Sequence, residues 1–301
     1  MVAPALPLRR SIGSKVGAYV ALTKPRIIEL LLVTTVPVMV VADKGVPSLW
    51  LIVATVLGGS LSAGGANAIN MYVDRDIDAR MERTKNRPLV TGEMTPTAAL
   101  VFAIAIEVAA FVWLWASVNL LSAVLALSAC LFYVFVYTLW LKRTSTQNIV
   151  IGGAAGAVPV LIGWSSVTDS LSVSAVVLFA VVFFWTPPHF WALAIKYKDD
   201  YSAADVPMLP SVRSYAHTTS QMLLYSVAVV ACTLLFGWTA AMGPLYWVGA
   251  VVLGLAFLWM TWDVKRTESA ARAIRLFTFS ITYITLLFGL MAADVIVRYG
   301  W

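Results

Sequence analysis

The chain has 301 residues, of which 60% are hydrophobic and only 12% charged, and its mean hydropathy is +0.85. A soluble domain carries about 25% charged residues and no apolar run long enough to cross a bilayer, so this composition excludes a water-soluble protein. The formal net charge of +6 raises the question of nucleic acid, but the placement of the basic residues along the chain gives them another role.

The first twenty residues, MVAPALPLRRSIGSKVGAYV, place basic side chains where a cleaved leader needs an uninterrupted apolar core. They are expected to form a cytosolic arm at 1–20, ahead of a single transmembrane domain at 21–301. A hydrocarbon core of about 30 Å takes about 20 helical residues per crossing. Nine such segments follow, at approximately 27–42, 49–73, 96–116, 119–141, 147–168, 171–195, 219–241, 244–262 and 277–297. Runs such as LLSAVLALSACLFYVFVYTLWL lack the alternation of a lipid-facing barrel. The expected fold is therefore all-α, a polytopic bundle of nine transmembrane helices. Cys130 and Cys232 fall inside spans, with neither a metal-ligand spacing nor a disulfide framework, and are assigned to packing.

With the N-terminus in the cytoplasm, every Lys and Arg except Lys44 and Arg298 falls in the arm or in a cytoplasmic loop. That asymmetry is what the positive-inside rule demands of a multi-pass protein of the cell (inner) membrane, and an eight- or ten-helix count would spoil it. It accounts for the net charge without nucleic acid. The acids follow the bases to the same side, which the rule does not require. Asp74, Asp76, Asp78 and Glu82 cluster after the second span, and Asp199, Asp200 and Asp205 after the sixth. The four-span separation suggests a duplicated four-helix unit, although little residue identity supports it.

In NMYVDRDIDARMERTKNRPL, continuation of the second helix stacks Asn70, Asp74 and Asp78 along one face at i, i+4 spacing. Two carboxylates so placed repel unless a cation lies between them, and Arg75 is the adjacent candidate. One reading is a solvated helix end laced with ion pairs such as Asp76 with Arg80. The other is a metal site. Magnesium takes one or two carboxylates plus phosphate oxygens, which Asp74 and Asp78 supply from one helix, with Asp200 facing them from the other cluster. Arg80, Arg83, Arg87, Lys142 and Arg143 would hold the remaining phosphate charge. Acids, bases and a greasy bundle together suit an amphiphilic substrate such as a lipid diphosphate.

The pattern NxxxDxxxD at Asn70, Asp74 and Asp78 resembles the first aspartate-rich motif of the intramembrane aromatic prenyltransferases, the UbiA superfamily. The finer resemblance is to its protohaem farnesyltransferase branch, the haem O synthases. It rests on LTKPRIIELLLVTT (22–35), DRDIDARMERTKNRPL (74–89), LKRTSTQNIVIGGAAGAVPVLIGW (141–164), TPPHFWALAIKYKDDYSAADVPMLP (186–210) and the nine-helix length. The last two helices match in character only. The chain departs from the broad superfamily at the second motif, where a DxxxD pair is expected, because Asp200 plus four is Ala204. Asp200 fits the branch, Asp205 is read as a loop acid, and the magnesium count, one or two, stays open.

The resemblance implies transfer of farnesyl from farnesyl diphosphate to a vinyl group of haem B, giving haem O and diphosphate, with Mg2+ as cofactor. It implies Asn70, Asp74, Asp78 and Asp200 as catalytic residues and Lys24, Arg26, Arg80, Arg83, Arg87, Lys142, Arg143, Asn148, His189 and Tyr201 as substrate contacts. A haem A synthase or terminal oxidase is a possible receiving partner. Tyr72, Tyr133, Tyr137 and Trp185 could steady a carbocation, or else serve as packing or interfacial aromatics. Of only two histidines, His189 follows TPP and could contact the substrate or approach its iron, or be a hydrogen-bonded helix residue. His217 reads as ordinary. Glu107 and Glu29 fall in spans and are left outside the site. A prenyltransferase of quinone precursors or chlorophyllide is the neighbouring alternative. A secondary transporter is the alternative from another class, but it needs ionisable residues near the midplane, and both acidic clusters lie at helix ends.

Overall fold

The computed structural model describes residues 12–300, with side chains at 16–25 and 33–300. Among these residues the structure is helical, without strands. Within the stretch expected to form an arm the chain is helical from Ile12: α1 (Ile12–Thr23) lays Ala18 and Leu22 against Ala68 and Met71 of α3. Lys24, in left-handed backbone at φ 52°, turns the chain into α2 (Pro25–Asp43), whose first residue is a proline that needs no donor there.

The long helices begin where their caps dictate. Ser48 caps α3 (Leu49–Val73), Thr95 caps α5 (Pro96–Ser117) and Asn119 caps α6 (Leu120–Leu131), each side chain accepting from a backbone N–H of the first turn. Between α3 and α5 lies the short α4 (Arg75–Asp78). From α6 the helix widens into π-type turns over Phe132–Leu141 and tightens again in α7 (Lys142–Thr144). Then come α8 (Asn148–Thr168), α9 (Val173–Lys196), the short α10 (Lys198–Ala203) and α11 (Leu209–Val212), and the last three long helices, α12 (Tyr215–Thr239), α13 (Pro244–Thr267) and α14 (Ala270–Tyr299).

Eight segments among the described residues are long and apolar enough to cross a membrane: α3, α5, Leu120–Thr144, α8, α9, α12, α13 and α14. The first of the nine expected spans corresponds to α2, whose described part, Val33–Asp43, is apolar. Hydropathy underestimates α13 and α14 at the ends where they meet each other, Thr267 and Ala270, because it marks the thickness of lipid rather than the end of a helix. Asp263 of α13 is buried and paired with Arg266 and Arg272, so both helices continue past the apolar stretch.

Packing closes the helices into a ring: α3 lies on α5, α6 on α5 and α8, α9 on α8, α12 and α14, and α2 returns to α8 and α14. At the α2–α8 crossing a Cβ on Gly163 would stand 2.7 Å from the Thr35 carbonyl oxygen, so only glycine permits this approach. Trp191, Phe236, Tyr246, Phe257, Tyr283 and Phe288 are buried in the core, while Val101, Trp115, Val173, Val248 and Leu255 face outward as a lipid-contacting surface requires.

Candidate active site

The C-terminal end of α3 carries the polar centre. Asp74 accepts the break between α3 and α4, yet its N–H donates to Asn70 O at 2.9 Å and Asp78 N–H donates to Asp74 O at 2.8 Å. The four-residue rhythm therefore survives, and Asn70, Asp74 and Asp78 stack as their spacing predicts. All three are buried, with relative exposures of 3%, 0% and 2%. Asn70 is held on every side. Its Nδ2 donates to Asp74 Oδ2 at 2.7 Å and to Thr138 Oγ1 at 3.0 Å, and its Oδ1 accepts from Lys24 Nζ at 2.9 Å. Both amide protons and the carbonyl are thus used, which fixes the orientation of the group. Thr138 in turn donates to Tyr133 O, five residues back at 2.9 Å, a reach that the π-type turns allow.

The charge of the aspartates is met from distant segments. Lys142 of α7 pairs with Asp74, and Arg87 Nη1 lies 2.5 Å from Asp78 Oδ2. Arg143 forks onto Asp76 with two bonds of 2.8 Å, and its Nη2 is 3.7 Å from Asp74 Oδ1. Arg75, expected between the aspartates, instead points outward, donating to Tyr72 O at 2.6 Å and lying 4.7 Å from the centre of the Tyr72 ring. Asp76 pairs with Arg143 rather than Arg80, and Arg80 reaches Asp205. Arg75 and Arg80 point outward, so the buried Asp74 and Asp78 are met by partners from other segments, whereas Asp76, whose side chain is 57% exposed, takes the Arg143 fork at the surface. Burial, reinforced by the charges of Arg87 and Lys142 and offset by Asp78 and Asp74, pushes the Lys24 ammonium down to about 7. The Arg143 fork pulls Asp76 down to about 2.

The second acidic cluster approaches the same end through the loop after α4. The Arg83 backbone N–H lies 3.4 Å from Asp200 Oδ2, and its guanidinium hydrogen-bonds Tyr201, whose phenol is raised by burial. Arg80 meets Asp205 at 3.2 Å in an exposed pair. Asn148, at the start of α8, is fully buried, with Nδ2 3.5 Å from Pro207 O and no hydrogen bond to Oδ1. Asp200 is thus tied to the loop that carries the arginines and does not stack with Asp74 and Asp78. Among the described residues no three His, Cys, Asp or Glu side chains come together as a ready metal site. One observation does suit a cation: Asp74 Oδ1 is buried and accepts no hydrogen bond, an orphaned anionic oxygen of the kind that a hard divalent ion takes.

His189 lies elsewhere, on the α9 face that packs against α14. Its Nδ1 is 2.7 Å from Ser280 Oγ, and its ring stacks between Trp185 and Phe277. Trp185 donates its indole N–H to Ser280 O at 2.9 Å, so it packs inside the bundle. Tyr133 and Tyr137 stack on each other, 5.2 Å apart, within the π-type stretch beside Thr138. Glu107 accepts from Ser62 Oγ at 2.9 Å and from the Cys130 thiol, away from the aspartates. His217 is exposed in the first turn of α12. The side chains of Arg26 and Glu29 lie outside the described residues.

Thr138 and Ser280 are functional candidates that sequence reasoning misses, since a hydroxyl in an apolar span gives no signal of its own. Asp294 is a third buried acid without a motif. It accepts from Gly243 N at 2.7 Å and Tyr246 N at 3.3 Å, capping α13 from α14 at the opposite end of the bundle.

Residues 31–287 match the family described as the UbiA prenyltransferase family. A protein of Frankia alni named protoheme IX farnesyltransferase is 55% identical over 288 residues, covering 95% of this chain and all of the relative. One of Streptomyces avermitilis with the same name is 52% identical over 296 residues, covering 96% of this chain and 97% of the relative. In fold, a digeranylgeranylglyceryl phosphate synthase superposes with a TM-score of 0.77 at 14% identity, over 94% of this chain and 99% of the other. A UbiA homologue from Archaeoglobus fulgidus bound to DMAPP and Mg2+ superposes with a TM-score of 0.64 at 16% identity, over 90% and 99%. The chain belongs to the UbiA prenyltransferase family.

Proposed function

We propose that this chain transfers the farnesyl group of farnesyl diphosphate to a vinyl group of haem B, forming haem O and releasing diphosphate. The observation that carries the reading is the buried Asn70–Asp74–Asp78 ladder ringed by Lys24, Arg87, Lys142 and Arg143. The names of the relatives that share half the sequence supply the donor and the acceptor.

Asp74 and Asp78 would hold magnesium, which when bound supplies Lewis acidity to the leaving diphosphate, and Asp200 would act from the loop that carries the arginines, where it meets the Arg83 N–H. The remaining chemistry falls to the chain's own groups. The allylic C–O bond breaks with its electron pair going to diphosphate, and Lys24, Arg80, Arg83, Arg87, Lys142 and Arg143 offset that charge in a site shielded from bulk water. Asn70, fixed by three hydrogen bonds, keeps Lys24 and Asp74 in register. The allylic cation is captured by the vinyl carbon, forming the C–C bond, and water adds at the adjacent carbon with loss of one proton. The stacked rings of Tyr133 and Tyr137, beside Thr138, would steady the cation, and Asn148, Tyr201 and His189 would serve as further substrate contacts. The reading also places the chain in the cell membrane with the N-terminus cytoplasmic, so the basic loops face the soluble diphosphate and haem O stays in the bilayer for a haem A synthase or terminal oxidase.

The test is incubation of membranes containing the protein with haem B, farnesyl diphosphate and magnesium, with and without chelator, followed by chromatography and mass spectrometry of the haems. A chelator-sensitive haem O peak is expected. Farnesyl diphosphate consumed on a quinone precursor or chlorophyllide, without haem O, would replace the acceptor.

A further inference from the structure

The buried hydrogen bond of His189 has a direction that can be assigned. Its Nδ1 lies 2.7 Å from Ser280 Oγ. The serine hydroxyl has a single proton, and the same Oγ stands 2.6 Å from the carbonyl oxygen of Phe277, three residues back on α14. Two oxygens this close repel unless the proton lies between them, so Ser280 donates to Phe277 and turns its lone pairs to the imidazole. Nδ1 therefore carries the ring proton, and in the neutral ring the free lone pair belongs to Nε2.

The ring is also fixed in space. Trp185 stacks on one face at 4.2 Å and 19°, Phe277 on the other at 4.6 Å and 25°. Trp185 and His189 sit one turn apart on α9, and both bond to Ser280, through its carbonyl and its hydroxyl respectively. With both faces covered and Phe190 edge-on to the ring at 5.4 Å and 89°, only the remaining edge of the imidazole is left for a ligand. His189 is seven residues before Lys196, the end of α9, roughly 10 Å beneath the cytosolic helix ends. An iron held at that depth lets a porphyrin keep its ring in the apolar layer while its propionates reach toward the basic loops.

We infer that His189 Nε2 is an axial ligand to the iron of the haem B substrate and that Ser280 is the positioning residue that sets its tautomer and ring orientation. This rests on the reading of haem B as acceptor. Iron-ligating histidines donate their other N–H to a fixed acceptor, and losing that acceptor typically costs about ten- to a hundredfold in affinity or activity. Anchoring the iron leaves the porphyrin only rotation about the Fe–N bond, which limits the positions its vinyl groups can take.

The experiment uses the purified full-length protein, reduced, with haem B alone, observed by absorption and resonance Raman spectroscopy. An iron–histidine stretch is expected, and labelling the two histidines with nitrogen-15 should shift it without any variant. His217→Ala should keep the stretch. His189→Ala should lose it and bind haem B at least about tenfold more weakly, with added imidazole restoring a nitrogen-ligated spectrum. Ser280→Ala should move the stretch and weaken binding about ten- to a hundredfold, whereas Ser280→Thr, which keeps a hydroxyl, should restore both. Haem O formation is followed in the same preparations. Wild-type protein that makes haem O with no isotope-sensitive histidine ligand, or a ligand signature that survives His189→Ala, overturns the inference and leaves farnesyl transfer standing. Equal spectra and affinities for Ser280→Ala and wild type overturn the positioning role. Protein that neither binds haem B nor forms haem O overturns the farnesyl-transfer reading itself.

Discussion

The two acidic clusters look alike in sequence and differ in burial. Asp74 and Asp78 are sealed at 0% and 2% exposure and are neutralised by Lys142 and Arg87, which reach them from other segments. Asp205 meets Arg80 in an ion pair whose side chains are 85% and 60% exposed, on loops rather than at a helix end. A buried carboxylate keeps its charge only if partners are built around it, and removing one partner strands the other. An exposed one is stabilised by water. The first cluster is therefore expected to be functional and intolerant, and the second, apart from Asp200 and Tyr201 on the Arg83 loop, replaceable.

The largest effects should follow from breaking the buried cluster. Asp74→Asn or Asp78→Asn should lower haem O formation by at least about a hundredfold, with the bundle still folded by size-exclusion chromatography. Full activity of either variant at limiting magnesium would remove it from the site. Thr138→Val should follow. It leaves an Asn70 amide proton buried without an acceptor, a cost of about 1–3 kcal/mol, or about 5- to 160-fold in kcat/KM, and Thr138→Ser should recover most of it. A smaller effect concerns Lys24, whose ammonium lies near 7 between Arg87 and Lys142, against Asp74 and Asp78. A lysine whose pKa falls on folding disfavours the folded state below pH 7, and that penalty is relieved as pH rises from about 7 toward 10.5. Diphosphate binding has the opposite sense, since the anion needs the charged form. Its affinity should weaken as pH rises through 7, and Lys24→Arg should flatten that slope in a titration of inorganic diphosphate.

The contrast between the clusters also explains what was legible beforehand. The spacing of Asn70, Asp74 and Asp78 could be read because helix periodicity is local, and hydrogen bonds from Asp74 N to Asn70 O and from Asp78 N to Asp74 O preserve it. The partners could not. Lys142 is 68 positions from Asp74 and Asn70 is 68 from Thr138, and nearest-neighbour reasoning chose Arg75, which turns to the Tyr72 carbonyl. The spans were legible from hydropathy to within a few residues, except where charged pairs such as Asp263 with Arg272 carry helices beyond the lipid. Ser280 was invisible for a further reason: an alcohol whose hydroxyl bonds its own helix at Phe277 O scores as apolar filler, and only the arrival of His189 from α9 gives it a direction.

The smallest effect sharpens the comparison most. Arg80 and Asp205 form the one direct side-chain ion pair between the loop after α4 and the loop after α10 among the described residues. If contact alone made a residue important, breaking this bridge would loosen this end of the bundle. Because both groups are largely in water, the bridge gains little over hydration and should be screened by salt. Asp205→Asn should therefore change haem O formation by no more than about twofold, and the double variant with Arg80→Ala should do no worse than Arg80→Ala alone. Arg80→Ala can lower diphosphate affinity through its own charge, so the informative quantity is the coupling between the two positions, measured at low and high salt. A strong coupling that survives high salt would mean that the second loop is held shut through Asp205, and the division between a buried, functional cluster and a solvated one would have to be redrawn.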